Sequence, residues 1–129
     1  MKSLTPQDIA PPFGGYSHGV EVPPGKRLIR TSGQLALARD GSVPKGAGAQ
    51  ARLCFENISK ILAQGGMGPG DIIHLSAWVT ERVYMADYMR ARDAFLLGVP
   101  VLPASTLLIV SGFSRAEFLV EVEAMAVAG

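Results

Sequence analysis

The last quarter of the chain, LPASTLLIVSGFSRAEFLVEVEAMAVAG, constrains the fold most. Two apolar runs flank a polar connection, Ser111-Gly112-Phe113-Ser114-Arg115-Ala116-Glu117, and predict two strands, about 106–110 and 118–127. Side chains alternate along a strand, so Val120, Val122, Ala124 and Ala126 share one face and Glu121, Glu123 and Met125 the other. Two carboxylates thus lie side by side on one strand face. Either that face is simply solvated, as one face of an antiparallel sheet often is, or it lines a pocket.

The stretch from about Gly48 to Gln64 places Ala51, Cys54, Phe55, Ile58, Ile61 and Leu62 on one helical stripe, stopped by Gly65-Gly66. Residues 71–80 alternate as a strand, with Ile73, Leu75, Ala77 and Val79 on one face. Ile72, His74, Ser76, Trp78 and Thr80 form the other. A second helix is expected from about Val83 to Leu96, with Tyr84, Tyr88, Ala91 and Phe95 on its stripe. Before the first helix, residues 17–22 read as a short strand and Pro23-Pro24-Gly25 as a turn. Residues 27–37 read as a strand broken at Ser32-Gly33-Gln34, where the glycine marks a bulge or a close backbone approach. The first fifteen residues, with three prolines, read as an irregular arm.

The order is β-β-α-β-α-β-β with hairpins at both ends. That is an α+β two-layer domain spanning 1–129, one sheet with both helices on one face. Two helices cover one face only. The other, carrying Trp78, Ile72, Leu107 or Leu108 and Met125 beside Glu121, Glu123, His74 and Ser76, calls for other subunits to cover it. A composition 48% hydrophobic and 18% charged agrees with such burial.

Twelve basic and eleven acidic residues nearly cancel, which gives non-specific nucleic-acid binding little support. The single cysteine, Cys54, excludes an internal disulfide and reads as a small core residue. No apolar run suits a leader or a membrane span, so a cytoplasmic protein is expected. Two histidines without a third clustered ligand make no metal site. His18 and His74 stand as separate candidates for proton transfer or as packed side chains.

Several short segments resemble, in order, the Rid family, also called YjgF or L-PSP proteins: Pro12-Phe13-Gly14-Gly15-Tyr16-Ser17-His18-Gly19-Val20, Thr31-Ser32-Gly33-Gln34, Gln50-Ala51-Arg52 with Asn57-Ile58, Gly70-Asp71-Ile72, and Pro103-Ala104-Ser105 with Val120-Glu121-Val122-Glu123-Ala124-Met125-Ala126. The resemblance implies a chorismate-mutase-like fold and a homotrimer whose sheets form a central barrel, with clefts between subunits. It implies a cofactor-free hydrolase in which a glutamate holds a water that attacks the C=N bond of a 2-imino or 2-enamino acid made by pyridoxal-phosphate enzymes, releasing ammonia. Carried onto this chain, Glu121 is the catalytic residue, expected beside Leu107 and Met125. Tyr16, Gly33, Ser105 and Leu107 bind substrate, with Ser32 and His18 as further candidates.

Ser105 stands where deaminating members carry an arginine that clamps the substrate carboxylate. Leu107 replaces a frequent cysteine, and Met89 and Arg92 replace the usual asparagine and aromatic. A serine gives one neutral hydrogen bond, so the exchange costs about 2–4 kcal/mol of carboxylate binding. Arg30, Arg82, Arg92 and Arg115 are the cations that could substitute. The implied function is imine or enamine hydrolysis on a small-molecule ligand. The alternatives are a non-enzymatic metabolite-binding trimer and, less supported, an endoribonuclease or translation inhibitor.

Overall fold

A computed structural model describes all residues, 1–129. The strands are β1 (Lys2–Leu4), β2 (Gly19–Glu21), β3 (Arg27–Arg30), β4 (Gln34–Leu35), β5 (Ile72–Val79), β6 (Ala104–Ile109) and β7 (Val120–Ala128). The helices are α1 (Ala47–Gln64) and α2 (Met85–Phe95). The main sheet runs β3-β7-β5-β6, and β4 extends the β3 edge by pairing with β7. The two-layer α+β architecture expected from the sequence is the observed one.

The hairpins are not. β6 pairs in parallel with β5, and β7 runs antiparallel between β5 and β3/β4, so the two C-terminal strands are not neighbours. The physical reason is the helix between β5 and β6. A crossover of that length returns the chain parallel to its starting strand, and the connection after β6 is long enough to carry β7 across β5. At the other end, β2 pairs with β1 instead of β3, so the arm expected to be irregular contains a short strand, paired from Lys2↔Glu21 to Leu4↔Gly19.

Alternation on β7 places Val120, Val122, Ala124 and Ala126 in the core. From β5, Ile72, Leu75, Ala77 and Val79 join them. Ile72 was expected on the opposite face. The register shifts between Ile72 and His74, making Ile73 an extra residue that turns Ile72 inward. Phe55, Ile58 and Leu62 of α1 close over this layer, and Phe55 stacks on Phe95 of α2 at 4.7 Å.

α1 ends in a Schellman motif. Met67 N–H donates to Leu62 O at 2.9 Å and Gly66 N–H to Ala63 O at 3.0 Å, with Gly66 at φ 73°. The break between β3 and β4 is likewise satisfied. Thr31 N–H donates to Ala124 O at 2.9 Å, and the Thr31 hydroxyl accepts from Ala124 N–H at 3.0 Å, so the bulge leaves no orphan on β7.

Gln50 is 1% exposed and ties α1 to the approach to β7. Its Nε2 donates to Pro44 O at 3.0 Å and Glu117 O at 2.8 Å, and its Oε1 accepts from Leu119 N–H at 2.8 Å. Gln50→Leu strands these backbone groups in the interior. It should destabilise the fold by about 2–4 kcal/mol, read as a shift in the urea midpoint at unchanged slope.

Candidate functional site

The sequence-predicted residues fall into two groups on opposite faces of the sheet. The first surrounds a cavity of about 390 Å³ lined by Phe13, Gly14, Tyr16, Met85, Met89, Arg92, Ser105 and Leu107. It lies where the edge strand β6, helix α2 and the N-terminal arm meet. The arm is fastened there by Ser17, whose N–H donates to Pro103 O at 3.0 Å and whose hydroxyl donates to Leu102 O at 2.6 Å. A parallel bridge of Ser17 to Ala104 brings Tyr16 up to Ser105. Tyr16 packs edge-on against Phe13 and His18, with centroids 6.0 and 6.1 Å away. His18 does not line the cavity. Its Nε2 lies 2.6 Å from Ala10 O, holding the arm to itself.

The second group lies on the open face. Glu121 is opposite Trp78 on β5 and Leu35 on β4, and Glu123 is opposite Ser76. Leu107 is opposite the buried Ala77, so its side chain points to the helix side. Within one chain Glu121 and Leu107 therefore lie apart, so the expected proximity can arise only between chains. One strand and the thickness of the sheet separate the two residues. Glu121 does share its face with Met125, and with His74, whose Nδ1 lies 3.2 Å from Ser76 Oγ.

Gly33 lies over Glu121. A Cβ built on Gly33 would stand 2.8 Å from Glu121 Cδ, so the bare backbone is what lets the bulge approach the carboxylate. Ser32 beside it is exposed, and its carbonyl accepts from Gln34 Nε2 at 3.2 Å. Burial raises the Glu121 pKa above 4.5, and the neighbouring Glu123 adds to the rise. Glu123 is itself paired with Arg30, Nη2 to Oε1 at 3.7 Å. Burial also pushes the Cys54 thiol up to about 12, and its Sγ donates to Gln34 O at 3.1 Å, as suits a core residue.

Of the four cations considered, Arg92 reaches the cavity. Arg30 is on the open face with Glu123, and Arg82 is exposed on the turn before α2. Arg115 lies over the Phe118 ring and pairs with Glu117, Nε to Oε1 at 3.1 Å. The signal for Arg92 was in the helix. Met85, Met89 and Arg92 stand at i, i+4 and i+7, a stripe adjoining the one that packs on α1. No three His, Cys, Asp or Glu side chains gather to hold a metal ion, and no helix is long and apolar enough to cross a membrane.

Two outcomes are expected at Glu121. Gly33→Ala should displace the flexible carboxylate at little cost in stability, because the clash is with a side-chain end. Any activity of the site should fall while the melting temperature holds. Glu121→Gln should melt higher than the parent at pH 7, since a raised carboxyl pKa means the ionised form is penalised in the folded state. The gain should fade as pH falls through 4.5 and be gone below it, where the carboxyl is protonated in both states; melting curves across that range check it.

Residues 7–128 match the family described as Endoribonuclease L-PSP. TdcF of Escherichia coli strain K12 is 32% identical over 83 residues, 63% of this chain and 62% of TdcF, so the match spans less than two thirds of that relative. The 2-iminobutanoate/2-iminopropanoate deaminase of the same strain is 27% identical over 128 residues, 98% of this chain and 97% of its own. Among solved structures, YyfB of Yersinia pestis, a Rid-family protein of unknown function, superposes with a TM-score of 0.87 at 28% identity over 98% of both chains. TdcF with bound serine gives 0.75 at 27% identity over the full length of both. With nearly its whole length matched in sequence and in fold, the chain belongs to the L-PSP family, the family of the Rid proteins.

Proposed function

We propose that this protein is a hydrolase of imines or enamines of small metabolites. Its site would form between copies of the chain, one supplying the cavity with Tyr16, Ser105 and Leu107 and another supplying Glu121 and Gly33. The observation that carries this reading is the division of the site residues. In one chain Glu121 is on the open sheet face and the cavity is on the helix face, so a site using both needs two chains. The open face supports this, since Leu28 and Leu108 are 60% and 51% exposed on it and Trp78 lies between Leu108 of β6 and Glu121 of β7. A homotrimer with the sheets turned inward would cover it.

The chemistry follows from Glu121. The carboxylate takes a proton from a water as the water oxygen bonds to the carbon of the protonated imine, giving a neutral carbinolamine. The same carboxyl then protonates the nitrogen, the C–N bond breaks as the hydroxyl proton passes back to the carboxylate, and a carbonyl compound and ammonia leave. A carboxyl with a raised pKa suits both halves of this exchange. The deaminase relative supports the reaction class, and the serine bound to TdcF supports a small-molecule ligand.

The test uses an amino-acid oxidase to generate a panel of 2-imino acids in the presence of semicarbazide. The wild type should suppress semicarbazone formation, and Glu121→Gln should lose this by about a hundredfold or more. Glu121→Gln and Tyr16→Ala chains, each inactive alone, should regain about a quarter of wild-type activity when unfolded and reassembled together, the share of sites that draw an intact half from each. No regain would mean that the halves come from one chain. Ligand-dependent stabilisation without turnover of any imine would instead establish the non-enzymatic binding trimer.

A further inference from the structure

We propose that Arg92 is the anion-binding residue of the cavity, and that the ligand it selects is a small monocarboxylate with an apolar side chain. This rests on the cavity being a ligand half-site, as above, and adds what the half-site holds.

The Arg92 side chain is 5% exposed, and a buried guanidinium is costly unless its charge is answered. Its hydrogen bond runs from Nε to Asp93 Oδ1 at 3.1 Å. The face of the Tyr88 ring, 5.9 Å from Cζ, supplies a weak second partner. Neither meets Nη1 or Nη2, the two nitrogens that grip a carboxylate side by side. Over the guanidinium passes the arm at Gly14 and Gly15, where added Cβ atoms would lie 3.8 and 3.5 Å from Nη2. Backbone without side chains comes close there, so the arm shields the guanidinium and places no side-chain acceptor on its terminal nitrogens.

The remaining walls decide what else the ligand carries. Phe13, Met85, Met89 and Leu107 are apolar, and the methionines are pliable. Ser105 brings a neutral hydroxyl and no charge. A cavity of about 390 Å³ with one cation and mostly apolar walls favours one carboxylate attached to an apolar body, up to the size of a phenyl group. A dicarboxylate would leave its second charge unanswered.

The experiment measures binding, separately from turnover, by calorimetry with 3-phenylpropanoate and its neutral amide on the full chain. Wild type should bind the carboxylate and not the amide. Arg92→Gln, which keeps length and polarity, should weaken carboxylate binding on the order of tenfold to a hundredfold. Asp93→Asn should tighten it severalfold by removing a neighbouring negative charge, and its amide oxygen can still accept from Arg92 Nε, so it keeps the test decisive if Arg92→Gln fails to fold. Ser105→Arg placed in the Arg92→Gln background should restore binding, because both positions line one cavity. Equal binding of acid and amide, undiminished binding by Arg92→Gln, or no tightening by Asp93→Asn would each overturn the assignment. Carboxylate binding that follows this pattern without imine turnover would leave Arg92 in place and remove the hydrolase reading. Turnover of 2-imino acids indifferent to Arg92→Gln would do the reverse.

Discussion

The structure depends on the register of β7. This strand is hydrogen-bonded to β3 and β4 on one side and to β5 on the other, and α1 packs on one of its faces. Burying Val120 and Val122 contributes about 1.5–3 kcal/mol each, with smaller terms from Ala124 and Ala126. A slip of one residue would send Glu121 and Glu123 into that core and the valines into water. Two unpaired carboxylates cannot be buried there, so the register has no close competitor. The same constraint that builds the core presents both carboxylates on the open face. Position and fold are therefore one physical fact at this site.

The bulge between β3 and β4 shows how the sheet admits a functional approach without losing its bonds. Thr31 replaces a ladder partner with its hydroxyl, which keeps Ala124 satisfied. The chain is then free to lift at Ser32 and return at Gln34, passing Gly33 over the Glu121 carboxyl. That cover contributes to the desolvation that raises the Glu121 pKa. Gln50 works at the other end of the strand, holding Glu117 and Leu119 so that β7 begins where its register requires.

Periodicity made the helices, the strand β5 and the two faces of β7 legible in the sequence, because each follows from which side chains avoid water. Strand neighbours were less so. Alternation says which face a residue takes and nothing about which strand lies beside it. The apolar runs at about 106–110 and 118–127 therefore looked like a hairpin although β5 separates the strands they form. The extra residue at Ile73 was hidden because Ile72 and Ile73 are equally apolar, and either could take the core position. The L-PSP resemblance picked out Tyr16, Gly33, Ser105, Leu107 and Glu121 together. Their separation onto two faces needed the parallel pairing of β5 with β6, since only that register fixes Leu107 with Ala77 and away from Glu121. Arg92 was legible in kind, as a cation on a helix stripe beside two methionines. It could not be told from three other arginines until their partners were seen.

Arg92 and Asp93 also answer how a buried cation is tolerated before any ligand arrives. Without a partner, a guanidinium this deep would destabilise the fold, and with a buried partner it would be closed to ligands. Asp93 avoids both outcomes because its own side chain is 58% exposed while that of Arg92 is 5% exposed. In the empty cavity its carboxylate offsets the guanidinium charge through Nε. When a ligand carboxylate takes the terminal nitrogens, water can take up what Asp93 gives back, so yielding costs little. The affinity of such a site is set by the difference between two carboxylates competing for one cation, one tethered and hydrated, the other carrying an apolar body into the cavity. The apolar body decides that competition, because it gains from burial against Met85, Met89 and Leu107 and Asp93 does not.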